Sequence, residues 1–548
     1  MSGHVRTTTT VPKPTNAAVR AARAALLALS ALTLAACGGS ESKVPTGATN
    51  SLPVRPSLPQ TYVATGMSAA GNVFVHLFEW RWLDIANECE SVLGPAGVWA
   101  VQISPPQEHS VQTSGTWSER YQPVSYSVAR SRSGTGAEFQ QMVTRCKNVG
   151  VGIIVDAVIN HMTNVPSPGV GSNGSAYTKY DYPGLYNVND FHPICTVTDY
   201  TNAANVQDCQ LLGLPDLNTG SASVRAKISG YLTSLLQMGV IGFRIDAAKH
   251  IQQLELDSIF VTVNQQAVTD GRPRPYVFLE VVGGAGEALN SRDYYGIGHS
   301  SGGGSDITEF TTTGLGDKFL GTGGQKLFQL NPNGTPGNQF SPVAWGLMAS
   351  DKAVIFLENH DTQRSGNGVT YRDGMLYRLA NVFLLAQPYG LPSIMSSYTF
   401  TRSTQAGRDL GPPSDNTGQI LPVVCAASID VAIIGQWVCE HRDPYIINMI
   451  SFRKVTAGTA ITNWWDNGSN AIAFSRGAKG FVAINRESAA VTVTTPTGLA
   501  PGVYCDLITG GKNGAVCVGT SITVAAGGGV SFSLGANSAV AVTTASGL

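Results

Sequence analysis

Between residue 73 and about residue 453, short apolar runs rich in β-branched residues alternate with stretches of helical period. The runs 73–78 (VFVHLF), 98–103 (VWAVQI) and 152–156 (GIIVD) read as buried strands. The stretches 139–149 and 224–238 read as helices, each feeding the strand that follows. Such alternation builds βα units around a parallel sheet. It stops after His161 for about fifty residues, where Asn, Asp, Tyr, Gly and Pro dominate and Cys195 and Cys209 lie inside. A structureless loop of that length does not suit a compact domain, so the stretch reads as a small inserted domain. Helical period returns at Ser221. Beyond Arg453, β-type runs alternate with Gly and Asn turns, which predicts an all-β C-terminal domain.

Four apolar runs share a further form, each ending in acids, His or Asn: 152–161 (GIIVDAVINH), 241–250 (IGFRIDAAKH), 276–282 (YVFLEVV) and 354–361 (VIFLENHD). In a parallel α/β barrel, residues at the carboxyl ends of the strands converge on one mouth. Arg244 and Asp246 stand two apart and so share a strand face. Ions in a buried strand are paired or functional. Alone, these two read equally well as a core ion pair. With Glu280 and Asp361 in the same setting, three carboxylates meet, and paired carboxylates are what glycoside hydrolysis requires.

Composition narrows the picture. A chain of 548 residues is long enough for two or three domains. Charged residues are only 13% and the net charge is −1, so no basic excess points to nucleic acid and no charge run to a tail. The Gly-rich stretches 283–286 and 302–304 do not follow a dinucleotide fingerprint and read as loops. No C-x-x-C pair occurs, which disfavours a zinc ribbon or a thioredoxin-like centre.

The N-terminus carries Arg6, Lys13, Arg20 and Arg23, with no acid before Glu41. The apolar run 24–36 is too short to span a bilayer and suits a signal-peptide core. It ends LAACG, which resembles a bacterial lipoprotein box with Cys37 as the lipidated residue. The alternative is plain A-x-A-type cleavage with Cys37 incidental. Residues 38–67, rich in Ser, Thr, Pro and Gly, read as a flexible tether. Setting Cys37 aside leaves eight cysteines, an even number that suits export and leaves 105 pairings open.

The four runs, in this order and with 214–218 (LPDLN) between the first and second, resemble the signature regions of the α-amylase family. The stretches 104–110 (SPPQEHS), 117–126 (WSERYQPVSY) and 463–477 (NWWDNGSNAIAFSRG) are similar to its animal and actinobacterial branch, and the likeness covers roughly 73–548. It implies a (β/α)8 TIM-type barrel, an inserted domain after the third strand and a C-terminal β sandwich. The expected division is signal peptide 1–36, tether 37–67, barrel 68–163 and 220–453, insertion 164–219 and β domain 454–548.

The resemblance also assigns roles. Asp246 would be the nucleophile, kept ionised by Arg244, and Glu280, ending an apolar strand, the acid/base. Asp361, His161 and His360 would hold the reacting sugar. Tyr121 would stack beneath it, with Gln122 beside it and Trp117 further along the glucan. A second aromatic next to Trp117 is replaced here by Thr116. Lys249 and His250 would face the leaving-group side. Asn160 and Asp216, with the backbone carbonyls of His250 and Gln207, match a Ca²⁺ site of hard oxygen donors.

The disulfides implied are Cys89–Cys146, Cys195–Cys209, Cys425–Cys439 and Cys505–Cys517. Chloride is not expected: Arg244 and Asn359 match two of its ligands in the animal enzymes, but Ser393 stands where those have Arg. The expectation is an exported monomer, secreted or lipid-anchored at the cell surface or outer membrane. It would cleave internal α-1,4 bonds of starch, glycogen and malto-oligosaccharides with retention. An α-glucan transglycosylase and a non-catalytic glucan-binding lipoprotein are the alternatives, the latter disfavoured by the intact carboxylate trio. The Trp pair at 464–465 reads either as core or as a sugar-binding surface.

Overall fold

The computed structural model describes residues 65–112, 115–366, 368–400 and 411–548. The signal peptide, Cys37 and nearly all of the tether lie outside the described residues. Eight parallel strands close into a barrel: β1 (Phe74–Leu77), β2 (Ala100–Ile103), β3 (Gly152–Ala157), β4 (Gly242–Ile245), β5 (Tyr276–Leu279), β6 (Ser305–Thr308), β7 (Ala353–Ile355) and β8 (Leu391–Ser396). Each strand pairs with its sequence neighbour, and β8 returns to β1 with Ser393 opposite Phe74.

The barrel interior is filled from below by Phe74, Ala100, Ile154, Tyr276, Phe278, Val354 and Leu391. Side chains alternate along a strand. The inward positions two residues further on include His76, Gln102, Asp156 and Glu280, with Arg244 two beyond inward Gly242. An apolar plug thus carries a polar layer at the carboxyl ends of the strands. Gly242 is fixed by close approach: a Cβ there would lie 2.3 Å from the Tyr276 carbonyl on β5.

The helices pack outside. They include α1 (Trp82–Glu88), α2 (Gly136–Asn148), α3 (Ala222–Gln237), α4 (Gln253–Thr269), α5 (Leu315–Leu320), α6 (Met375–Ala386) and α7 (Pro444–Val455). A capping box between Thr135 and Glu138 starts α2. Its Cys146 is bonded to Cys89 just past α1. The insertion after β3 has a short hairpin, a core that includes Tyr177, Tyr182, Tyr186 and Phe191, and the Cys195–Cys209 bridge. It rejoins the barrel where Asp216 bridges to His161. Cys425–Cys439 closes part of the long connection from β8 to α7.

The C-terminal domain is all β. Strands β9 (Ile461–Asp466), β10 (Ala471–Arg476), β11 (Gly480–Asn485) and β16 (Ser538–Thr543) form one antiparallel sheet, in the order β9-β10-β11-β16. The pairs β12 (Val491–Pro496) with β15 (Gly529–Leu534), and β13 (Gly502–Cys505) with β14 (Ser521–Val524), complete it, and Cys505–Cys517 is bonded. A bulge between Thr462 and Trp465 turns the two tryptophans apart. Trp464 stacks on Phe474 at 5.6 Å and its indole N–H donates to Asp466, while Trp465 packs on the domain's own core. Both are used in packing, which favours the core reading of the pair.

Two buried arginines lie at the junction of barrel and β domain, and Arg476 bonds across it. Arg453 of α7 donates to the carbonyls of Gln387 (2.7 Å) and Gly390, and Arg476 of β10 to those of Ala386 (2.5 Å) and Thr459 (2.9 Å). Ala386 ends α6, whose last carbonyls lack helical partners and carry the negative end of the helix dipole. Burial, and for Arg453 also the neighbouring Arg476, pushes the guanidinium values down to about 9 for Arg453 and about 10 for Arg476.

Candidate active site

Arg244 is the hub of the polar layer. Its Nη1 lies 2.5 Å from Asp156 Oδ1 and 2.9 Å from Asp246 Oδ1, and its Nη2 lies 3.0 Å from Glu280 Oε1. Three carboxylates thus share one guanidinium. Burial raises Asp246 well above the ordinary Asp range, and Arg244 opposes this without cancelling it. Asp156 is likewise pushed up to about 6 by burial against the pull of Arg244. Arg244 does pull Asp246 down, as expected, but burial outweighs that pull and the carboxyl is raised on balance.

Chain geometry sets the rest. Past β4, Ala247 takes a left-handed conformation (φ 48°), which aims its N–H at Glu280 Oε2, 2.9 Å away. Such strain in a residue with a Cβ costs energy and persists where surroundings enforce it. Asp361 follows β7 and a short buried stretch; its side chain is 47% exposed, against 11% for that of Asp246. Asp246 is enclosed, while Asp361 is open to a ligand.

Aromatic rings line one wall. Tyr121, His360, Phe78 and Tyr398 form a near-parallel column, with successive centroids 5.1, 5.0 and 6.1 Å apart. The Tyr121 hydroxyl donates to Asp156 Oδ2 (3.0 Å). His360 is kept neutral by burial and by the charges of Arg244 and Arg364. Its Nε2 lies 3.3 Å from Asp361. Half-buried Trp117 sits edge-on to Tyr121 at 5.7 Å and to His360 at 5.6 Å. Gln122 accepts from the Thr163 hydroxyl at 3.0 Å.

His161 differs from expectation. Its Nε2 is 2.9 Å from the Tyr121 carbonyl, which only accepts, so Nε2 carries the proton and Nδ1 accepts from Asn160 Nδ2 at 3.3 Å. Burial lowers it to about 4. Both ring nitrogens are engaged by the protein, so His161 orients Tyr121 and Asn160 in this structure.

On the opposite side, Lys249 donates to the Val282 carbonyl (2.8 Å), pairs with Glu287 and lies 4.8 Å over the Tyr200 ring. His250 Nδ1 donates to the Val206 carbonyl at 2.8 Å, and burial lowers this imidazole to about 4. Three participants escaped the sequence reading. Asp156 was legible as an acid at an inward position of its strand. Tyr200, in the insertion, and Glu287, in a Gly-rich loop, carried no local signal.

The donors of the calcium reading lie between barrel and insertion. Among the described residues, no group of three or more His, Cys, Asp and Glu side chains gathers to hold a metal. A site here must therefore use amide and backbone oxygens, as the expected set does. Asp216 is buried and stands against the Asn160 side chain. Its Oδ2 lies 2.7 Å from His192, and its Oδ1 is buried without a hydrogen-bond partner. Burial pushes its carboxyl up to about 7. An orphaned, desolvated carboxylate oxygen beside an amide fits a hard cation. The Gln207 side chain is occupied by the Tyr294 hydroxyl (2.9 Å), so only its carbonyl is available as a ligand.

Behind Asp361 lies a second acid pair. Glu440 accepts from the Ser397 N–H (2.8 Å) and hydroxyl, and burial pushes it up to about 7. Glu358 is raised well above its usual range by burial and then by Glu440. A carboxyl raised on folding contributes stability that is whole below its unfolded value, near 4.5, and is lost as pH rises through about 7. Glu440→Gln is expected to remove on the order of 3 kcal/mol of that pH dependence. Melting temperatures of both proteins from pH 5 to 8 check this: the decline should be shallower in the variant, and an equally steep decline would refute it.

The comparisons agree with this geometry. The chain matches the family description "Alpha amylase, catalytic domain" over residues 93–314 and "Alpha amylase, C-terminal all-beta domain" over residues 462–545. It is 41% identical to an α-amylase of Tribolium castaneum over 485 residues, 86% of this chain and 93% of the relative. It is 42% identical to one of Streptomyces violaceus over 467 residues, 85% of this chain and 73% of that one. Among solved structures, a variant of α-amylase I from Eisenia fetida in complex with maltohexaose superposes with a TM-score of 0.77 at 36% identity, covering 86% of this chain and 97% of that one. With a catalytic and a C-terminal domain that both match the family and 41% identity to a relative across 86% of its length, the chain belongs to the α-amylase family.

Proposed function

We propose that this protein is an exported, calcium-dependent endo-acting α-amylase that cleaves internal α-1,4 bonds of starch and glycogen by double displacement. The observation that carries the reading is the seating of Asp246 and Glu280 on the two nitrogens of one guanidinium, with half-exposed Asp361 nearby. Such close seating favours the spacing of a retaining pair, about 5–5.5 Å, over the wider inverting one. In the first step the Asp246 carboxylate attacks the anomeric carbon, and Glu280 gives its proton to the departing glycosidic oxygen. In the second, Glu280 takes a proton from water, whose oxygen displaces Asp246. Arg244 holds both carboxylates and spreads the charge left when one ionises. Tyr121 stacks under the reacting ring, Asp361 and His360 hold its hydroxyls, Trp117 and Gln122 receive the sugars on one side, and Lys249 and His250 those on the other.

Asn160, Asp216 and the carbonyls of Gln207 and His250 would hold Ca²⁺, which ties the insertion to the barrel. Export rests on the N-terminal apolar run and the four disulfides. No helix of the described residues is long and apolar enough to cross a membrane. Cys37 supplies the option of a lipid anchor. The chain acts as a monomer on starch, glycogen and malto-oligosaccharides.

Chloride is not needed in this reading. Two arginines and a chloride beside Glu280 sum to +1, and Arg244 alone gives the same. Ser393, inward on β8, supplies no charge, and Arg244 already carries three carboxylates, so an anion has little to bind. Soluble starch digested in chloride-free acetate is expected to give a broad range of oligosaccharides early. Turnover should be unchanged when chloride is added at constant ionic strength. Early products confined to glucose and maltose would overturn the endo reading, and lengthened glucans would favour the transglycosylase. A several-fold saturable rise with chloride would overturn the role given to Ser393.

A further inference from the structure

We infer that Arg364 is a positioning residue for glucan binding, acting through Trp117. The guanidinium of Arg364 lies within four aromatic rings, its carbon 4.7 Å from Trp117, 5.0 Å from Phe78, 5.6 Å from Tyr398 and 4.5 Å from Phe400. Two hydrogen bonds fix it there, from Nη1 to the His360 carbonyl (2.5 Å) and from Nη2 to the Tyr398 hydroxyl (2.9 Å). Of the four rings, Phe78, Tyr398 and Phe400 are buried and locked by their own packing, while Trp117 is half-buried. Trp117 is thus the least enclosed of the rings that Arg364 touches.

The neighbourhood sharpens this. Thr116, beside Trp117, is occupied by a hydrogen bond with Ser118, so the indole is held by the edge contacts of Tyr121 and His360, the tilted Phe78 and the Arg364 guanidinium. A guanidinium over an aromatic face is attracted to the ring's π cloud, and the hydrogen bonds to His360 and Tyr398 hold it in place. A sugar binding the other face of Trp117 then meets a ring already in place. Without that support, the rotamer freedom of Trp117 must be lost on binding, which weakens affinity and leaves the chemistry at Asp246 and Glu280 untouched.

The inference rests on the reading of Trp117 as a glucan platform. The test is a double-mutant cycle on the full chain, with Arg364→Met and Arg364→Lys each made alone and with Trp117→Ala, using maltohexaose as substrate. Melting temperatures identify which variants are folded. Arg364→Met is expected to raise KM about five- to tenfold, with kcat within about twofold, and to have no further effect once Trp117 is Ala. Arg364→Lys, which keeps the charge and loses the planar fork, should fall between. If Arg364→Met does not fold, Arg364→Lys carries the cycle. A rise in KM that is as large with Trp117→Ala as without it, or a fall in kcat with KM unchanged, would overturn the inference. If the parent protein leaves maltohexaose intact, the proposed function falls. The same cycle read by calorimetric binding of maltohexaose then tests Arg364 separately: equal affinities across the series overturn it, and a loss that vanishes with Trp117→Ala supports it.

Discussion

Asp246→Asn and Glu280→Gln are each expected to reduce starch hydrolysis by about a thousandfold or more without lowering the melting temperature. The catalytic loss follows from the roles. An amide at 246 cannot form the glycosyl intermediate, and one at 280 can neither give nor receive the proton. The stability expectation follows from the cluster at Arg244. Three carboxylates on one guanidinium leave buried negative charge uncompensated, and burial already raises Asp246 and Asp156. Replacing one acid by its isosteric amide removes a desolvation cost and keeps the shape, a recurrent trade between stability and function at active sites. Initial rates on soluble starch and calorimetric melting check the two halves. More than a tenth of parental activity in either variant would refute the assignment, and a drop of many degrees in melting would show the cluster to be mainly structural.

Exhaustive chelation is expected to lower both activity and melting temperature, and replenished Ca²⁺ to restore them. A ligand that binds only the folded chain stabilises it by about 2.7 kcal/mol at a hundredfold excess over its Kd. Asn160 lies just past β3 and Asp216 at the end of the insertion, so a cation between them would brace the insertion against the strands that carry Asp156 and Arg244. The desolvated Asp216 carboxyl, pushed up to about 7 without a cation, would be held ionised by one. Activity and melting both unchanged after chelation, with no metal found by elemental analysis, would dismiss the site.

Much of this was legible in the chain, and the reasons are local. A strand such as 241–245 shows its buried face by its β-branched and aromatic residues, and its carboxyl end by the abrupt change to Asp246 and His250. The break after His161 marked the insertion because periodicity fails where no barrel helix packs. Less legible were the relations between distant residues. The sharing of Arg244 by Asp156, Asp246 and Glu280 depends on the register of β3, β4 and β5. The enclosure of Arg364 draws rings from positions 78, 117, 398 and 400, none of which signals the others. His161 shows the same limit: its place was readable, but its tautomer is set by the Tyr121 carbonyl, forty residues away.

Arg476, at the junction of the two domains, also orders events in time. A chain made from its N-terminus completes β8 at residue 396 and the last barrel helix, α7, at residue 455, yet the Ala386 carbonyl at the end of α6 waits for a partner at residue 476. The barrel is therefore sealed by a group that belongs to the following domain. Until β10 has formed, that carbonyl is left to water, and docking of the β domain both buries it and supplies its protein donor. The β domain thus serves the barrel as its final structural part, whatever else it touches.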